Sequence, residues 1–170
     1  VYEGTQPVWN TGRVNSDRSV HIAYAGEPLK SGRDYSWQVR VWDNGGKRSA
    51  WSPTAKFRTG ILDGSGWKAK WIEPGYAEDT VMRPSPLMRK EFTVNGKIAR
   101  ATAYITAHGI YEAELNGKRI GDAFLTPGWT SYGKRLQYQA YDVTPLLRNG
   151  PNAVGVMLGS GWYRGNIGFR

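Results

Sequence analysis

"IYEAELNGKRIG", residues 110–121, combines the two signals that decide the fold class of this chain. Its first six residues alternate between apolar and acidic side chains, as an antiparallel strand with one buried face requires. Asn116 and Gly117 come next, and this pair favours the tight turn of a β-hairpin because both residues tolerate a positive φ. We therefore predict a hairpin that begins with a strand over residues 110–115.

Alternating segments of this kind recur along the chain, whereas no segment keeps an apolar i, i+3, i+4 pattern over three helical turns. The segment DYSWQVRVWD, residues 34–43, has an apolar residue at every second position from Tyr35 to Val41 and leads into an Asn-Gly-Gly turn. It predicts a hairpin over residues 35–59. The other predicted strands are 20–25, 67–72, 87–94, 100–109, 136–143 and 152–158.

The chain is therefore predicted to be all-β, with one short helical turn after Asp142 that has Pro145 in its first turn. A glycine-rich break, GILDGSG at residues 60–66, separates two parts with different residue patterns and marks a predicted domain boundary. After this break, at least six strands joined by short loops predict a sandwich or a jelly roll.

Composition excludes several kinds of chemistry. The chain has no cysteine, which rules out disulfides, a thiolate nucleophile and cysteine-ligated zinc. Its two histidines, His21 and His108, are far apart in sequence and cannot form a multi-histidine metal site. We expect no metal and no cofactor. We also expect His108, which precedes Gly109 at a strand end, to be a hydrogen-bonded structural residue and not a catalytic base.

The net charge of +9 raises the question of a polyanionic partner. The cations come as separated pairs, such as Lys118 with Arg119, and no run reaches five or six like charges. Solvated turns and strand faces explain them better than nucleic acid does, and electrostatic binding to nucleic acid or acidic polysaccharide stays an alternative. No membrane partner is expected, since no run of eighteen apolar residues occurs, and no signal peptide is recognised. The compartment stays open.

Glu112 and Glu114 leave the same face of one predicted strand, with Cα atoms about 6.5 to 7 Å apart. Paired carboxyl groups roughly 6.5 to 9.5 Å apart are typical of inverting glycosidases. The ordinary polar face of a half-buried sheet has the same appearance. We favour this second interpretation, because a catalytic acid needs an apolar pocket to raise its pKa and the neighbouring cations have the opposite effect.

Eight tryptophans and ten tyrosines are the most unusual feature of the composition. Aromatic rings stack against the C–H faces of sugars, but rings in phase with a strand pattern are expected to belong to the core. Rings on predicted loops remain, in LTPGWTSYGKRLQYQAYDVT at 125–144 and in the glycine-rich LGSGWYRGNIG at 158–168. The candidate carbohydrate or interdomain contacts are Trp129, Tyr132, Arg135, Trp162 and Tyr163.

The order of these motifs carries a resemblance. YSWQVRVWD and the following WS precede LMRKEF, then YITAHGIYEAELNGKRIGD, then L.PGWT.Y.KR..Y..YDVT and LGSGWYRGNIG. This order resembles the N-terminal, non-catalytic region of bacterial α-L-rhamnosidases, glycoside hydrolase family 78. The resemblance implies a partial fibronectin type III-like sandwich over 1–60, a linker over 61–66, and a jelly-roll (galactose-binding-like) domain over 67–170 that is either complete or truncated at its C-terminus.

The same resemblance implies a function for a longer parent protein. Family members hydrolyse terminal α-L-rhamnosides with inversion, using acidic residues on a downstream (α/α)6 barrel. The chain itself is then expected to be inactive, with no catalytic residue, and to contact that barrel and rhamnosylated glycosides. A stand-alone carbohydrate-binding module is the alternative. Because the first sandwich lacks early strands, we also expect the fragment to self-associate through an exposed core or open edge. The resemblance leaves the compartment open between the bacterial cytoplasm and secretion or the periplasm.

Overall fold

The computed structural model describes residues 1–165 and divides the chain into two compact units, Val1–Lys70 and Trp71–Arg170. Nearly all regular structure in both units is β-strand, so the all-β prediction is confirmed. Helical structure in the described part of the chain is limited to α1, Gly161–Arg164, and two 3₁₀ turns, Gly64–Gly66 and Thr144–Leu146. Within residues 1–165, no helix has the length and apolarity needed to cross a bilayer.

The first unit contains a single four-stranded antiparallel sheet in the order β2-β1-β3-β4. Its strands are β1, Tyr2–Glu3; β2, Gln6–Pro7; β3, Asp34–Trp37; and β4, Ala55–Arg58. Tyr35 pairs with Phe57 across β3 and β4, and the two rings stack at 5.5 Å. The predicted hairpin over 35–59 is therefore confirmed.

Two predictions for the first unit were wrong. The strand predicted over 34–43 ends at Trp37, and the expected inward face is exposed at Trp37, Val39 and Val41. Residues 20–25 form no strand, and Val20 and Ile22 are exposed. The physical reason is the same in both cases, because an alternating pattern is stabilised as a strand by a neighbouring strand and buries its apolar face only where a facing layer exists. Within residues 1–70, the one sheet has no second sheet to cover it.

Arginine side chains stack on tryptophan rings on the face of the 35–59 hairpin that lies opposite Val39 and Val41. The Arg40 guanidinium lies 4.3 Å from the Trp51 ring centroid and 5.2 Å from that of Trp42. Arg13 adds a further cation 5.3 Å from the Trp42 ring. Since cation–π contacts contribute about 0.5 to 2 kcal/mol each, these contacts help to order a segment whose strand pairing is limited to the Trp42–Arg48 bridge.

The second unit contains a four-stranded sheet in the order β5-β10-β7-β8 and a two-stranded sheet of β6 and β9. The bounds are β5, Leu87–Val94; β6, Thr102–Ile105; β7, Ile110–Leu115; β8, Lys118–Arg119; β9, Gln139–Asp142; and β10, Gly150–Gly159. Strands β5 and β7 have the predicted limits, and Asn116 and Gly117 form the β7–β8 turn with φ of 54° and 76°. The predicted strand over 67–72 is absent, and Trp71 and Ile72 are exposed.

The core of the second unit lies between these two sheets. Strand β7 places Tyr111, Ala113 and Leu115 inward, where they pack with Ala107, Ile120 and Val143. On one side the sheets leave an open apolar groove of about 270 Å³ that includes Phe92, Ala101 and Leu147 in its lining. The core is therefore closed at β7 and open towards β5.

A buried amide pair closes one end of the second unit. Asn152, 2% exposed, accepts hydrogen bonds at Oδ1 from Asn116 Nδ2 at 2.8 Å and from the Arg148 N–H at 3.0 Å. Its Nδ2 donates to the carbonyl oxygens of Arg148 and Gly150, both at 2.8 Å. Asn116 Oδ1 accepts from the Ala153 N–H at 3.0 Å. These bonds fasten the β7–β8 turn to the start of β10.

Candidate functional site

The strand pairing gathers several loops at the other end of the second unit. Strand β7 begins where β10 ends, because Ile110 pairs with Gly159. Strand β6 ends where β9 begins, because Ile105 pairs with Gln139. The connections that leave from this end are 106–109 and 120–138, together with the segment that follows β10. Most of the candidate residues belong to these connections.

Hydrogen bonds anchor the longest of these loops to the core. The Tyr111 N–H donates to the Thr126 carbonyl at 2.8 Å, and Thr126 Oγ1 donates back to the Tyr111 carbonyl at 3.1 Å. Gln139 accepts from the Tyr111 hydroxyl at 2.9 Å and donates through Nε2 to the Pro127 carbonyl. Burial and the nearby Tyr141 hydroxyl raise the pKa of Tyr111 above its ordinary value. The Tyr111 hydroxyl therefore stays protonated and acts as a fixed donor.

Four rings from separate segments form an aromatic cluster, which we call the ring stack: Trp71, His108, Tyr132 and Tyr163. The His108 ring lies between Trp71 and Tyr163, with centroid distances of 4.5 Å on both sides and interplanar angles of 7° and 14°. Tyr132 meets the edge of His108 at 6.3 Å and that of Tyr163 at 5.3 Å. The Tyr132 hydroxyl is buried without a hydrogen-bond partner among the described residues.

The contacts of His108 differ from the expected ones. Within residues 1–165 its ring contacts are aromatic faces, and no hydrogen bond of its imidazole is found there. The next residue, Gly109, has a φ of +114° and lies close to the end of β10. A Cβ atom at this position would lie 2.2 Å from the Gly159 carbonyl oxygen, so only glycine fits between the 106–109 connection and β10.

Trp129 and Trp162 form a second aromatic pair, which we call the indole platform. Their ring centroids are 6.0 Å apart and their planes are 2° from parallel, which is an offset arrangement. Trp129 is 63% exposed, whereas Trp162 is half-buried. The platform therefore presents flat apolar surface to solvent.

Arg135 lies close to Trp129 along the chain. Its N–H donates to the Ser131 carbonyl at 3.0 Å, and its carbonyl accepts from Thr130 Oγ1 at 2.6 Å. These bonds close the 130–135 turn and leave the side chains of Lys134 and Arg135 exposed. The structure thus brings four of the five candidates into two aromatic groups, and Arg135 ends the 130–135 turn that follows Trp129 and contains Tyr132.

Trp162 and Tyr163 lie on the one-turn helix α1 and not on a loop, which corrects the expectation for 158–168 up to residue 165. The remaining residues of this stretch, 166–168, lie outside the described part of the chain. A bidentate ion pair holds the helix, with Arg164 donating to Glu78 at 2.5 and 3.1 Å. Arg83 donates to the Arg164 carbonyl at 3.2 Å. The irregular segment 71–86 thus fixes the orientation of α1.

Glu112 and Glu114 lie on the exposed face of β7, alternating with buried residues as predicted. Arg119 Nη2 donates to Glu112 Oε1 at 3.3 Å. Both carboxylates are exposed to solvent, and neither lies in the apolar pocket that a catalytic acid needs. Among residues 1–165 there is also no group of three or more His, Cys, Asp or Glu side chains placed to hold a metal ion. The geometry supports binding or packing by aromatic faces.

Family models match both parts of the chain. Residues 1–63 match the "Rha78A-like, N-terminal immunoglobulin domain", and residues 96–170 match the "Alpha-L-rhamnosidase N-terminal domain". The chain belongs to the N-terminal region of the α-L-rhamnosidase family. The immunoglobulin-domain match agrees with the predicted sandwich fold class, of which the structure describes one sheet within residues 1–70.

Individual α-L-rhamnosidases show the same relationship. One from Formosa agariphila is 38% identical over 169 residues, which is 95% of this chain and 18% of that protein. The solved structure from Aspergillus terreus has a TM-score of 0.80 at 38% identity and covers 93% of this chain and 19% of its own. The structure from Dictyoglumus thermophilum has a TM-score of 0.77 at 38% identity, with coverages of 92% and 19%. The chain spans about a fifth of the length of these α-L-rhamnosidases.

Sequence reasoning missed two members of the ring stack in this rhamnosidase region. Trp71 was assigned to a strand and therefore excluded from the contact candidates, yet it is 61% exposed and stacks on His108. A signal was present, because residues 73–86 contain Pro74, Gly75 and Pro84 and offer no pattern that would continue a strand. No sequence signal placed His108 beside rings so distant along the chain.

The Glu78–Arg164 pair gives a pH-dependent prediction. The hydrogen bond from Arg164 lowers the pKa of Glu78 below its ordinary value of 4.5, so the stabilisation is present above that value and is lost as the pH falls through the folded-state pKa. In a carboxyl NMR titration, Arg164→Gln should move the Glu78 midpoint upwards. Asp79 serves as the control, because backbone N–H groups of Met82 and Val81 lower its pKa. An unchanged Glu78 midpoint in the variant would contradict this assignment.

Proposed function

We propose that this chain is the non-catalytic N-terminal β-region of an enzyme that hydrolyses terminal α-L-rhamnosides with inversion. The observation that carries the proposal is the pair of family matches, over residues 1–63 and 96–170, to N-terminal domains of α-L-rhamnosidases. The named relatives are about five times longer than this chain, which leaves room for a separate catalytic domain. We propose that this domain is an (α/α)6 barrel of the same polypeptide.

The carboxylates support the inactivity of the region itself. An inverting reaction needs one carboxylic acid that stays protonated and one carboxylate that activates water across the scissile bond. Glu112 and Glu114 lie on the exposed face of β7, and Arg119 pairs with Glu112 at 3.3 Å. An exposed strand face gives this pair no enclosed site for a glycosidic bond, so we assign the acid and the base to residues of the barrel.

The region's main role in this proposal is architectural. The ring stack and the Glu78–Arg164 pair make one end of the jelly-roll unit a stiff surface assembled from several segments. A stiff end can hold a neighbouring domain in one orientation, whereas mobile loops cannot. In this proposal the first sandwich spans 1–60, the linker spans 61–66 and the jelly-roll domain spans 67–170.

Carbohydrate binding is the second candidate function, and the indole platform favours it. Exposed parallel indoles are suited to stack on sugar C–H faces, and Trp129 lies largely in solvent. Rhamnosylated glycosides are the expected ligands. In this role the region would supplement the barrel by holding substrate near it, or would act alone as a binding module.

We further propose that the isolated fragment self-associates through its first unit. Trp37, Val39 and Val41 expose one apolar face there, and a second layer would remove them from water. Light scattering at high protein concentration should then give a mass above the 19.0 kDa of the monomer. A monomeric mass under those conditions would contradict the idea.

The enzymatic proposal is tested with 4-nitrophenyl α-L-rhamnopyranoside. The 170-residue chain should release no nitrophenol above the blank, whereas the polypeptide that also contains the barrel should release it and give β-rhamnose first by NMR. Hydrolysis by the chain alone that disappears in Glu112→Gln, but not in Glu91→Gln on exposed β5, would overturn the non-catalytic assignment. First release of α-rhamnose would overturn inversion.

A further inference from the structure

Several asparagines of the chain are directly followed by glycine. In such a pair the main-chain nitrogen of the glycine can attack the side-chain carbonyl carbon of the asparagine, because glycine has no Cβ to hinder the approach. The attack needs a side-chain amide that is free to turn and an N–H group that no acceptor holds. The pairs are Asn44-Gly45, Asn95-Gly96, Asn116-Gly117 and Asn149-Gly150.

The pair at the β7–β8 turn is the most strongly restrained. Asn116 Nδ2 donates to the Leu146 carbonyl at 2.9 Å and to Asn152 Oδ1 at 2.8 Å. Asn116 Oδ1 accepts from the Ala153 N–H at 3.0 Å. The side-chain amide can turn towards the Gly117 nitrogen only when all of these hydrogen bonds open together, and such local openings are rare inside a paired sheet.

A single hydrogen bond restrains two of the other pairs. The Gly96 N–H donates to Asn149 Oδ1 at 3.0 Å. This bond occupies the nitrogen that would attack Asn95, and it also holds the Asn149 amide that Gly150 would attack. Gly150 is further restrained because it begins β10 and pairs with Val94. Both pairs are therefore protected, although both asparagines are exposed.

The pair in the first unit lacks such protection. Asn44 and Gly45 are the central residues of a tight turn that the Gly46 N–H closes by donating to the Asp43 carbonyl at 2.9 Å. Both central residues are exposed, and within residues 1–165 neither the Asn44 side chain nor the Gly45 N–H makes a hydrogen bond. The nearby Asp43 Oδ1 already accepts from the Lys47 N–H at 2.8 Å.

We propose that Asn44 is a modification site, at which the chain deamidates before any of its other asparagine–glycine pairs. The Gly45 nitrogen gives up its proton and bonds to Asn44 Cγ, the bond from Cγ to Nδ2 breaks, and ammonia leaves with that proton. Water then opens the resulting succinimide at either of its carbonyl groups and leaves aspartate or isoaspartate. This chemistry uses only groups of the first unit and is independent of the proposed enzymatic function.

The products change the turn in two ways. Both replace a neutral amide by a carboxylate beside Asp43. Isoaspartate also adds a carbon atom to the main chain, so the hydrogen bond from Gly46 that closes the turn no longer fits. The Trp42–Arg48 bridge lies next to this turn, and the Arg40 guanidinium lies 5.2 Å from the Trp42 ring. We therefore expect deamidation to loosen this stacking and to change the tryptophan fluorescence.

The test incubates the 170-residue chain under mildly alkaline conditions, which favour loss of the glycine N–H proton. Peptide mass spectrometry with fragmentation that distinguishes isoaspartate follows each pair over time. Deamidation at Asn44 should be about tenfold faster than at Asn95 or Asn149, the factor that corresponds to about 1.4 kcal/mol of protection by one hydrogen bond. Asn116 should be the slowest.

Two variants test the structural cause. Asn149→Ala removes the acceptor of the Gly96 N–H and should raise the rate at Asn95 towards that at Asn44, which should itself stay unchanged. Gly45→Ala should slow deamidation at Asn44 and keep the turn, because Gly45 is not left-handed and the added Cβ meets only Asp43 Oδ1, at 3.3 Å.

The possible outcomes decide the proposal. Equal rates at Asn44 and Asn95 in the folded chain would overturn it, since both asparagines precede glycine. A rate at Asn95 that does not respond to Asn149→Ala would overturn protection by the hydrogen bond. In denaturing urea the four rates should converge, and a difference that persists there would assign the order to the flanking sequence and not to the fold.

Discussion

Replacing Asn152 by alanine should lower the unfolding free energy of the second unit by on the order of 4 kcal/mol. The side chain uses its full capacity, with two hydrogen bonds accepted and two donated, and it is almost completely buried. Alanine would leave the Arg148 N–H, two carbonyl oxygens and Asn116 Nδ2 without this partner. Each buried group left unsatisfied costs about 1 to 3 kcal/mol, and partial access to water reduces the sum.

Native-state hydrogen exchange of the β10 amides measures this loss within the second unit, without assuming that both units unfold together. The matched control is Asn149→Ala. Asn149 is exposed, and its Oδ1 accepts a single hydrogen bond from the Gly96 N–H at 3.0 Å. Its removal should cost less than about 1 kcal/mol. Equal losses of unfolding free energy in the two variants would show that the buried Asn152 amide stabilises the unit no more than the exposed Asn149 amide does.

Gly109→Ala should also be strongly destabilising, with a loss of about 3 kcal/mol or more in the unfolding free energy. A non-glycine residue at φ +114° carries backbone strain of about 1 to 3 kcal/mol. The new Cβ would also collide with the Gly159 carbonyl oxygen at 2.2 Å, so β10 or the 106–109 connection must move. For a unit of this size, such a loss corresponds to a fall in melting temperature on the order of 15 °C.

The movement should also reach the ring stack, because His108 precedes this glycine. Near-ultraviolet circular dichroism should therefore lose intensity together with the melting temperature. Gly133→Ala is the control within the same end of the unit, since an added Cβ there meets no atom within 4 Å and the backbone is not left-handed. This control should be neutral or slightly stabilising. An unchanged melting temperature for Gly109→Ala would refute the proposed close approach.

The sequence predicted the second unit much better than the first, for a physical reason. Strands β5 and β7 could be assigned to the residue because both pair with β10, and β7 also packs its inward face against the core. Residues 20–25 and 67–72 show comparable patterns and form no strand, since no strand of the described part of the chain lies beside them in a sheet. Whether an alternating pattern forms a strand therefore depends on the available partner strands as much as on the residues themselves.

The candidate site is likewise only partly predictable from the sequence. Trp129, Tyr132, Trp162 and Tyr163 could be selected because the strand pattern excludes them, and the structure joins them into aromatic groups. Trp71 and His108 could not be placed, because their contacts depend on which strand ends share one end of the unit. The strand order decides which strand ends lie together, and the pattern of a single sequence does not determine that order.

The ring stack also has a consequence for the order of folding. Trp71, His108 and Tyr163 come from three segments separated by long stretches of chain, with β5 to β10 distributed between them. Closing such long loops costs entropy that only the paired strands can offset, so these rings meet after the sheets have formed. The surface that this region offers to a sugar or to a neighbouring domain is therefore present only in molecules that have finished folding.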